Sequence, residues 1–162
     1  MSVEPSVNSI KALQDDHFGR WKNREATAEN MIPLIGKLYR EKNVIVAVYG
    51  RSLVNRSVIQ ILKHHRRVRM IAGDLSVVDT WPLLLALADL DVSNILVDLG
   101  KLAIEAKQNG VDAVELLKKT VSPVVGKKTD RQATDVVLYG FGRIGRMLAR
   151  LIIEDAGGGD GL

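Results

Sequence analysis

The 162-residue sequence contains no cysteine, which excludes disulfide bridges, thiolate metal sites and a cysteine nucleophile within these residues. Aromatic residues are scarce at 4%, so a core must be built from Leu, Ile, Val and Ala, a bias that suits packed helices. Long apolar runs are missing too. The longest, Trp81 to Ala88, stops at Asp89, far short of the roughly 20 residues that a membrane span needs. The first residues, Met1 to Ser6, carry neither a basic start nor an apolar stretch. No secretory signal and no membrane partner are therefore expected, and the protein is expected to be soluble and cytoplasmic. Charge of one sign is in only modest excess: a net +4 does not by itself imply a nucleic-acid partner. With 46% hydrophobic and 26% charged residues, the composition is globular. The length allows one domain, or a domain and the opening of a second.

Residues 1–20 are polar and lack a period, and read as a flexible tail. From Asn23 a helical pattern begins: Ala28, Met31, Ile32, Ile35, Leu38 and Tyr39 recur at steps of three and four. Pro33 is expected to kink or break this helix. Val44–Tyr49 is rich in β-branched and aromatic residues, the mark of a strand, but its neighbours read as helices and it is assigned with them. After Ser52, an expected N-cap, Val54, Val58, Ile61, Leu62 and His65 line one face. A further helix is expected from about Asp79, with Pro82 in its first turn. From Leu83 to Leu90 it is apolar nearly all round, which places it at the centre of the core. Val92, Ile95, Leu96, Leu99, Leu102, Ala103 and Ala106 form the next helical stripe, stopped at Asn109-Gly110. Asp112 and Glu115 read as a capping box, with Val111 and Leu116 as its hydrophobic staple, and that helix ends by Ser122-Pro123. The helical region thus spans 21–125 as an all-helical bundle. Residues 126–134, polar and small, read as a linker.

Beyond the linker the grammar changes. Val136-Val137-Leu138-Tyr139 reads as a short strand, Gly140-Phe141-Gly142-Arg143-Ile144-Gly145 follows at once, and Met147, Leu148, Leu151 and Ile152 continue at helical spacing. This is G-x-G-x-x-G between a strand and a helix, the context that a dinucleotide fingerprint requires. The first glycine permits the tight turn, the second lets backbone approach a pyrophosphate, and the third lets helix pack on strand. Free amides at the helix start face the phosphate with the positive end of the helix dipole. The competing reading is that Gly142 and Gly145 only permit close packing. The expected fold class is therefore mainly α: an amino-terminal helical bundle, then the first β-strand, glycine-rich turn and helix of an incomplete Rossmann α/β domain over 135–162.

The wording of the turn is more specific than its spacing. Tyr139-Gly140-Phe141-Gly142-Arg143-Ile144-Gly145-Arg146 resembles the opening of the glyceraldehyde-3-phosphate dehydrogenase family, whose first strand runs into N-G-F-G-R-I-G-R. Tyr139 stands where that family usually has Asn. The stretches Met31–Tyr39 and Tyr49–Ser57 resemble the extra amino-terminal region of a long bacterial form, so the chain looks like an amino-terminal fragment. The resemblance implies NAD or NADP as cofactor, with Gly140, Phe141, Gly142, Arg143, Ile144 and Gly145 forming part of its site. It places the amides of Arg143 and Ile144 near the pyrophosphate; the Arg143 side chain reads either as a phosphate partner or as a solvated arginine at a helix start. It also implies a homo-oligomer in the intact protein. That protein would oxidise an aldehyde phosphate through thiohemiacetal formation, hydride transfer to NAD(P) and acyl transfer to phosphate. The family's cysteine nucleophile and histidine base stand far downstream of this turn. No catalytic residue is expected within 1–162, and the chain alone is expected to be inactive. Asp160 lies near the distance of the acidic ribose ligand, but within Gly157–Gly161, with no strand before it, and is not assigned that role.

Other features carry less. Arg51, Arg56, Lys63, Arg66, Arg67 and Arg69 stand with no acid between residues 51 and 73. No aromatic platform accompanies them, so a solvated basic helix end is favoured over a nucleic-acid surface. The alternative function is nevertheless a helical interaction module without enzymatic activity, docking a protein or nucleic acid through the Arg51–Arg69 surface. His64 and His65 point about 100° apart on a helix and have no third partner, so no metal site is expected. Gly126-Lys127-Lys128-Thr129 fails the phosphate-loop pattern, which demands Gly and Ser/Thr where Val121 and Lys128 stand. Trp21 and Trp81 read as core or staple residues.

Overall fold

A computed structural model describes residues 7–127 and 135–156, with side chains over 15–127 and 135–153. The protein is mainly helical, as expected, but its helices surround a small sheet that the sequence reading did not assign. The order is α1 (Val7–Lys42), β1 (Ile45–Val48), β2 (Arg51–Ser52), α2 (Val58–Arg69), α3 (Val77–Asp89), β3 (Leu96–Asp98), α4 (Leu99–Asn109), α5 (Ala113–Val121) and α6 (Arg143–Ala156). A 3-10 turn over Ser122–Val124 closes α5. The linker expected over 126–134, apart from Gly126 and Lys127, and the Gly157–Gly161 turn lie outside the described residues.

The sheet runs β2-β1-β3. β1 pairs in parallel with β3, Val46 opposite Val97, and antiparallel with β2, Val48 opposite Arg51. The helix assigned to Val44–Tyr49 is therefore corrected to a strand. Its run of β-branched residues is buried on both faces, Val46, Ala47 and Val48 alike, the pattern of a central strand under helices. Both ends are set by left-handed residues. Asn43 (φ 50°) enters the strand, and Tyr49 (φ 49°) and Gly50 (φ 73°) form the two-residue hairpin to β2.

The stripe assigned to one helix from Val92 to Ala106 divides in two: Leu96–Asp98 is strand and α4 begins only at Leu99. Asn94, at φ 55°, starts β3 as Asn43 starts β1. The two side chains are joined, Asn43 Nδ2 donating to Asn94 Oδ1 at 2.9 Å. At the other end Asp98 ties three pieces together. Its carboxylate accepts from the Tyr49 amide at 2.9 Å, the Gly50 amide at 2.7 Å and, as N-cap of α4, the Lys101 amide at 2.9 Å. Gly100 then lets α4 lie on β1: a Cβ there would stand 2.8 Å from Val48 Cγ1 and 3.2 Å from the Val48 Cα.

Several boundaries also move. α1 starts at Val7, so residues 7–20 are helical and extend it, and it runs on through Pro33. Pro33 and Glu29, whose carbonyl loses its helical donor, are both exposed, and water can serve that carbonyl. Ser57, not Ser52, caps α2, exchanging bonds with Gln60. Ser76 and Asp79 form the box that starts α3, which puts Pro82 in its second turn. Gly110 ends α4 at φ 63° and Asp112 accepts from the Glu115 amide at 2.8 Å, as expected, but Glu115 makes no return bond and Val111, expected to staple onto Leu116, is exposed.

The core is one cluster. Met31, Ile35 and Leu38 of α1 meet Val44, Val46 and Val48, Ile61 and Val68 of α2, Leu99 of α4 and Leu117 of α5. Leu83, Leu84 and Leu87 of α3 are fully buried, and α3 packs against α1, α2, α4 and α5, the central place expected of it. One polar pair lies within. His65 Nδ1 donates to the Ile61 carbonyl at 2.8 Å, and Nε2 lies 2.8 Å from the Thr80 hydroxyl, which itself lies 3.1 Å from the Val77 carbonyl. Burial holds the His65 pKa below its usual value; proximity to His64 adds to this, while the Ile61 bond and Asp79 oppose it.

Two outcomes follow. Asp98→Ala leaves three amides without their acceptor and lowers unfolding stability by about 2–4 kcal/mol, measured by urea titration. The neutral form of His65 is favoured by folding. Its contribution is complete above the ordinary histidine pKa and is lost as pH falls through the lowered folded value. Stability therefore declines from pH 7 towards pH 5. His65→Leu flattens that decline in the same titration, whereas an unchanged slope would remove His65 as its source.

Candidate functional site

The sequence points to Gly140–Gly145, and the structure shows what each glycine does locally. Gly140 sits at φ 94°, a conformation that L side chains rarely adopt. α6 begins at Arg143, with the Arg146 amide donating to the Gly142 carbonyl at 3.0 Å. Gly145 is buried within this first turn: a Cβ on it would lie 2.2 Å from the Gly140 carbonyl oxygen. The helix start is thereby drawn onto the turn, and any side chain at 145 would push it away. Gly142 differs, because a Cβ there would meet no described atom within 4 Å. The amides of the first turn, at Arg143 and Ile144 among others, have no intrahelical acceptors and carry the positive end of the helix dipole.

The side chains around the turn face outward. Phe141, Arg143 and Ile144 are exposed, as are Met147, Leu148 and Leu151 along α6. The strand expected at Val136–Tyr139 is not formed: the segment pairs with no strand among the described residues, and Val137 is 88% exposed. The reason is physical. A strand is stabilised by a neighbour's ladder and by burial of its faces, and the described chain supplies neither to this segment. The unit is a turn and a helix with an uncovered apolar face.

Elsewhere, the carboxyl ends of parallel strands are where open α/β sheets bind ligands. Here those ends, at Val48 and Asp98, are closed by the Tyr49-Gly50 hairpin, and both Asp98 oxygens are engaged. Asp98 was invisible to the sequence reading, although an Asp just ahead of Leu99 and Leu102 is an N-cap signal. Among the described residues no three His, Asp or Glu side chains are grouped to hold a metal ion, and no helix is long and apolar enough to cross a membrane. Trp81 packs against the core as expected. Trp21 instead lies 42% exposed on α1, stacked on Phe18 with ring centres 6.3 Å apart.

The basic residues of 51–69 do not spread evenly. Arg51 of β2, Arg56 of the following turn, and Lys63, Arg66 and Arg67 of α2 line one hollow of about 590 Å³ together with Gln60, His64 and Met70. Arg69 points elsewhere and pairs with Asp74 at 2.8 Å. His64 is held below its usual pKa, first by burial and then by Arg51, Arg56 and Arg67.

No protein-family model matches the chain. It is 50% identical over 139 residues to a glyceraldehyde-3-phosphate dehydrogenase-like protein of Pseudomonas aeruginosa (strain UCBPP-PA14), a match that takes in 82% of this chain and 30% of that protein. The chain thus spans less than a third of the relative's length. A match of this extent necessarily takes in most of the helical region, so the likeness is not confined to the glycine turn. Over most of its length this chain is similar to a glyceraldehyde-3-phosphate dehydrogenase-like protein, in agreement with the family that residues 139–146 resemble.

Proposed function

We propose that the chain is the amino-terminal part of an NAD(P)-dependent oxidoreductase acting on an aldehyde phosphate, with 21–125 as its helical region and 135–162 as the opening of its dinucleotide domain. The observation that carries this reading is the division of labour among the glycines. Packing alone accounts for Gly145, whose Cβ would strike the Gly140 carbonyl, but not for Gly142, which no described atom approaches. A glycine with open space in front of it, one residue before a helix start, is what close approach of a pyrophosphate requires. The cofactor fits these residues. The amides of Arg143 and Ile144 would hold its phosphates, the Arg143 guanidinium would add charge-assisted bonds, and Gly140 and Phe141 would shape the turn beneath. The bound dinucleotide supplies the hydride acceptor, and nothing else in this chain is assigned to the chemistry.

The exposed apolar face of α6 and the unpaired Val136–Tyr139 segment support the same reading. Each is what a first βα unit presents before further parallel strands cover it. The nucleophile, the base and the acidic ribose ligand would lie in sequence beyond residue 162, as would the contacts of a homo-oligomer.

A second reading has its own support. The helical region folds round a complete core without the glycine turn, and its cations gather on one side of α2. It would act as an interaction module for a protein or nucleic acid, with or without the dehydrogenase.

The test compares Gly142→Ala with Gly145→Ala in the protein made from the whole reading frame. Gly142→Ala leaves the thermal midpoint unchanged but weakens NAD(P) binding on the order of tenfold, the loss of about one charge-assisted hydrogen bond. Gly145→Ala weakens both. Wild-type cofactor affinity in Gly142→Ala, or no aldehyde-phosphate-dependent NAD(P)H formation by the whole protein, would sink the proposal. The 162-residue chain alone is expected to show no turnover and no micromolar NAD binding in calorimetry.

A further inference from the structure

The hollow beside α2 has a composition that neither packing nor the glycine turn explains. Five cationic side chains line it, Arg51, Arg56, Lys63, Arg66 and Arg67, and among the described residues no carboxylate does. They come from two sides: Arg51 from the edge strand β2, Lys63, Arg66 and Arg67 from α2. Arg56 bridges the two, its Nε donating to the Ser52 carbonyl at 3.4 Å. That arrangement is fixed by structure on both flanks. Leu53 and Val54 are buried under the connecting turn, and Ser57 and Gln60 lock the start of α2 through their reciprocal caps. Like charges held together on a rigid frame repel. The half-buried His64 registers that repulsion, being driven towards its neutral form by Arg51, Arg56 and Arg67 as well as by burial.

We propose that this hollow binds a compact oligophosphate, an anion carrying two or more phosphate groups. Guanidinium groups engage phosphate oxygens in paired, planar fashion, and four arginines with a lysine around one cavity suit several phosphates at once. The lining is poor in anything else. Among the described residues Met70 is its one apolar side chain and no Phe, Tyr or Trp ring faces it, so it lacks the broad aromatic platform on which bases stack best. The cations converge on one open hollow from β2, the following turn and α2, which favours a small anion over a nucleic-acid backbone. The site is separate in sequence from Gly140–Gly145 and does not depend on the dinucleotide reading.

The experiment is calorimetry of the full 162-residue chain with inorganic tripolyphosphate at low ionic strength, alongside a duplex oligonucleotide. Tripolyphosphate should bind at a single site, weaken as salt is raised, and lose about tenfold in affinity in each of Arg51→Gln and Arg67→Gln. Both side chains are exposed, so circular dichroism and thermal midpoint should stay at wild-type values, and Lys63→Gln serves as a third variant should either fail to fold. Absence of saturable binding overturns the proposal. So does binding of the oligonucleotide without tripolyphosphate, which would favour the nucleic-acid reading. A loss of tripolyphosphate binding in Gly142→Ala but not in the arginine variants also overturns it, placing the anion at the glycine turn.

Discussion

The carboxylate of Asp98 joins pieces of chain that have no other short route to one another. It receives the amides of the hairpin that ends β1 and the first turn of the helix that follows β3. β1 and β3 are parallel, so their connection must cross over, and here it passes through β2, α2 and α3. A connection that long cannot set the register of two short strands. Contacts at the strand ends must do so. Asp98 acts at one end; at the other, Asn43 and Asn94 pair side chains and the Ile45 amide donates to the Ile95 carbonyl at 2.9 Å. The core packing of Val46, Val97 and Leu99 follows from that register, and so does the seat of α4 on Val48, which Gly100 makes close enough.

Features decided within a few residues were legible in the sequence. The α1 stripe apart from the exposed Ile32, the largely apolar α3, the left-handed Gly110 and the Asp112 cap stand as read. The strands failed in both directions for one reason. Val44–Tyr49 was assigned to a helix because its neighbours were helical, and Leu96–Asp98 because a three-residue strand does not interrupt a helical stripe. Val136–Tyr139 was assigned to a strand and has no ladder. A strand is a relation between two segments, and sequence read in one window contains only one of them.

The candidate site divides in the same way. The glycine turn was legible because φ at Gly140 and the approach of Gly145 to Gly140 are local constraints. The convergence of Arg51, Arg56 and Arg67 was not, because it depends on where the chain turns between Leu53 and Ser57. Placing the N-cap at Ser52 would have wound Arg56 onto α2 instead. The two proposed anion sites also rest on different physics. The turn offers fixed backbone dipoles and little net charge, whereas the hollow offers net charge on side chains, which salt screens readily.

Helix α1 is 36 residues long, about 54 Å at 1.5 Å per residue, and its first buried side chain among those described is Ala28. From Asp15 to Asn23 every side chain is exposed. This stretch is held by neighbours on its own surface: the Asp16–Arg20 ion pair, Lys22 over the Phe18 ring at 4.6 Å, and the Phe18–Trp21 stack. Such pairs are worth a few tenths of a kcal/mol each. The carboxyl-terminal half is nucleated by burial, so the exposed half never bears the cost of starting a helix, only that of continuing one. One continuous helix therefore obeys two regimes. Opening past Ala28 requires the core to open with it, while towards Val7 each turn unwinds alone, and amide protection fades along the helix by degrees rather than in a single step.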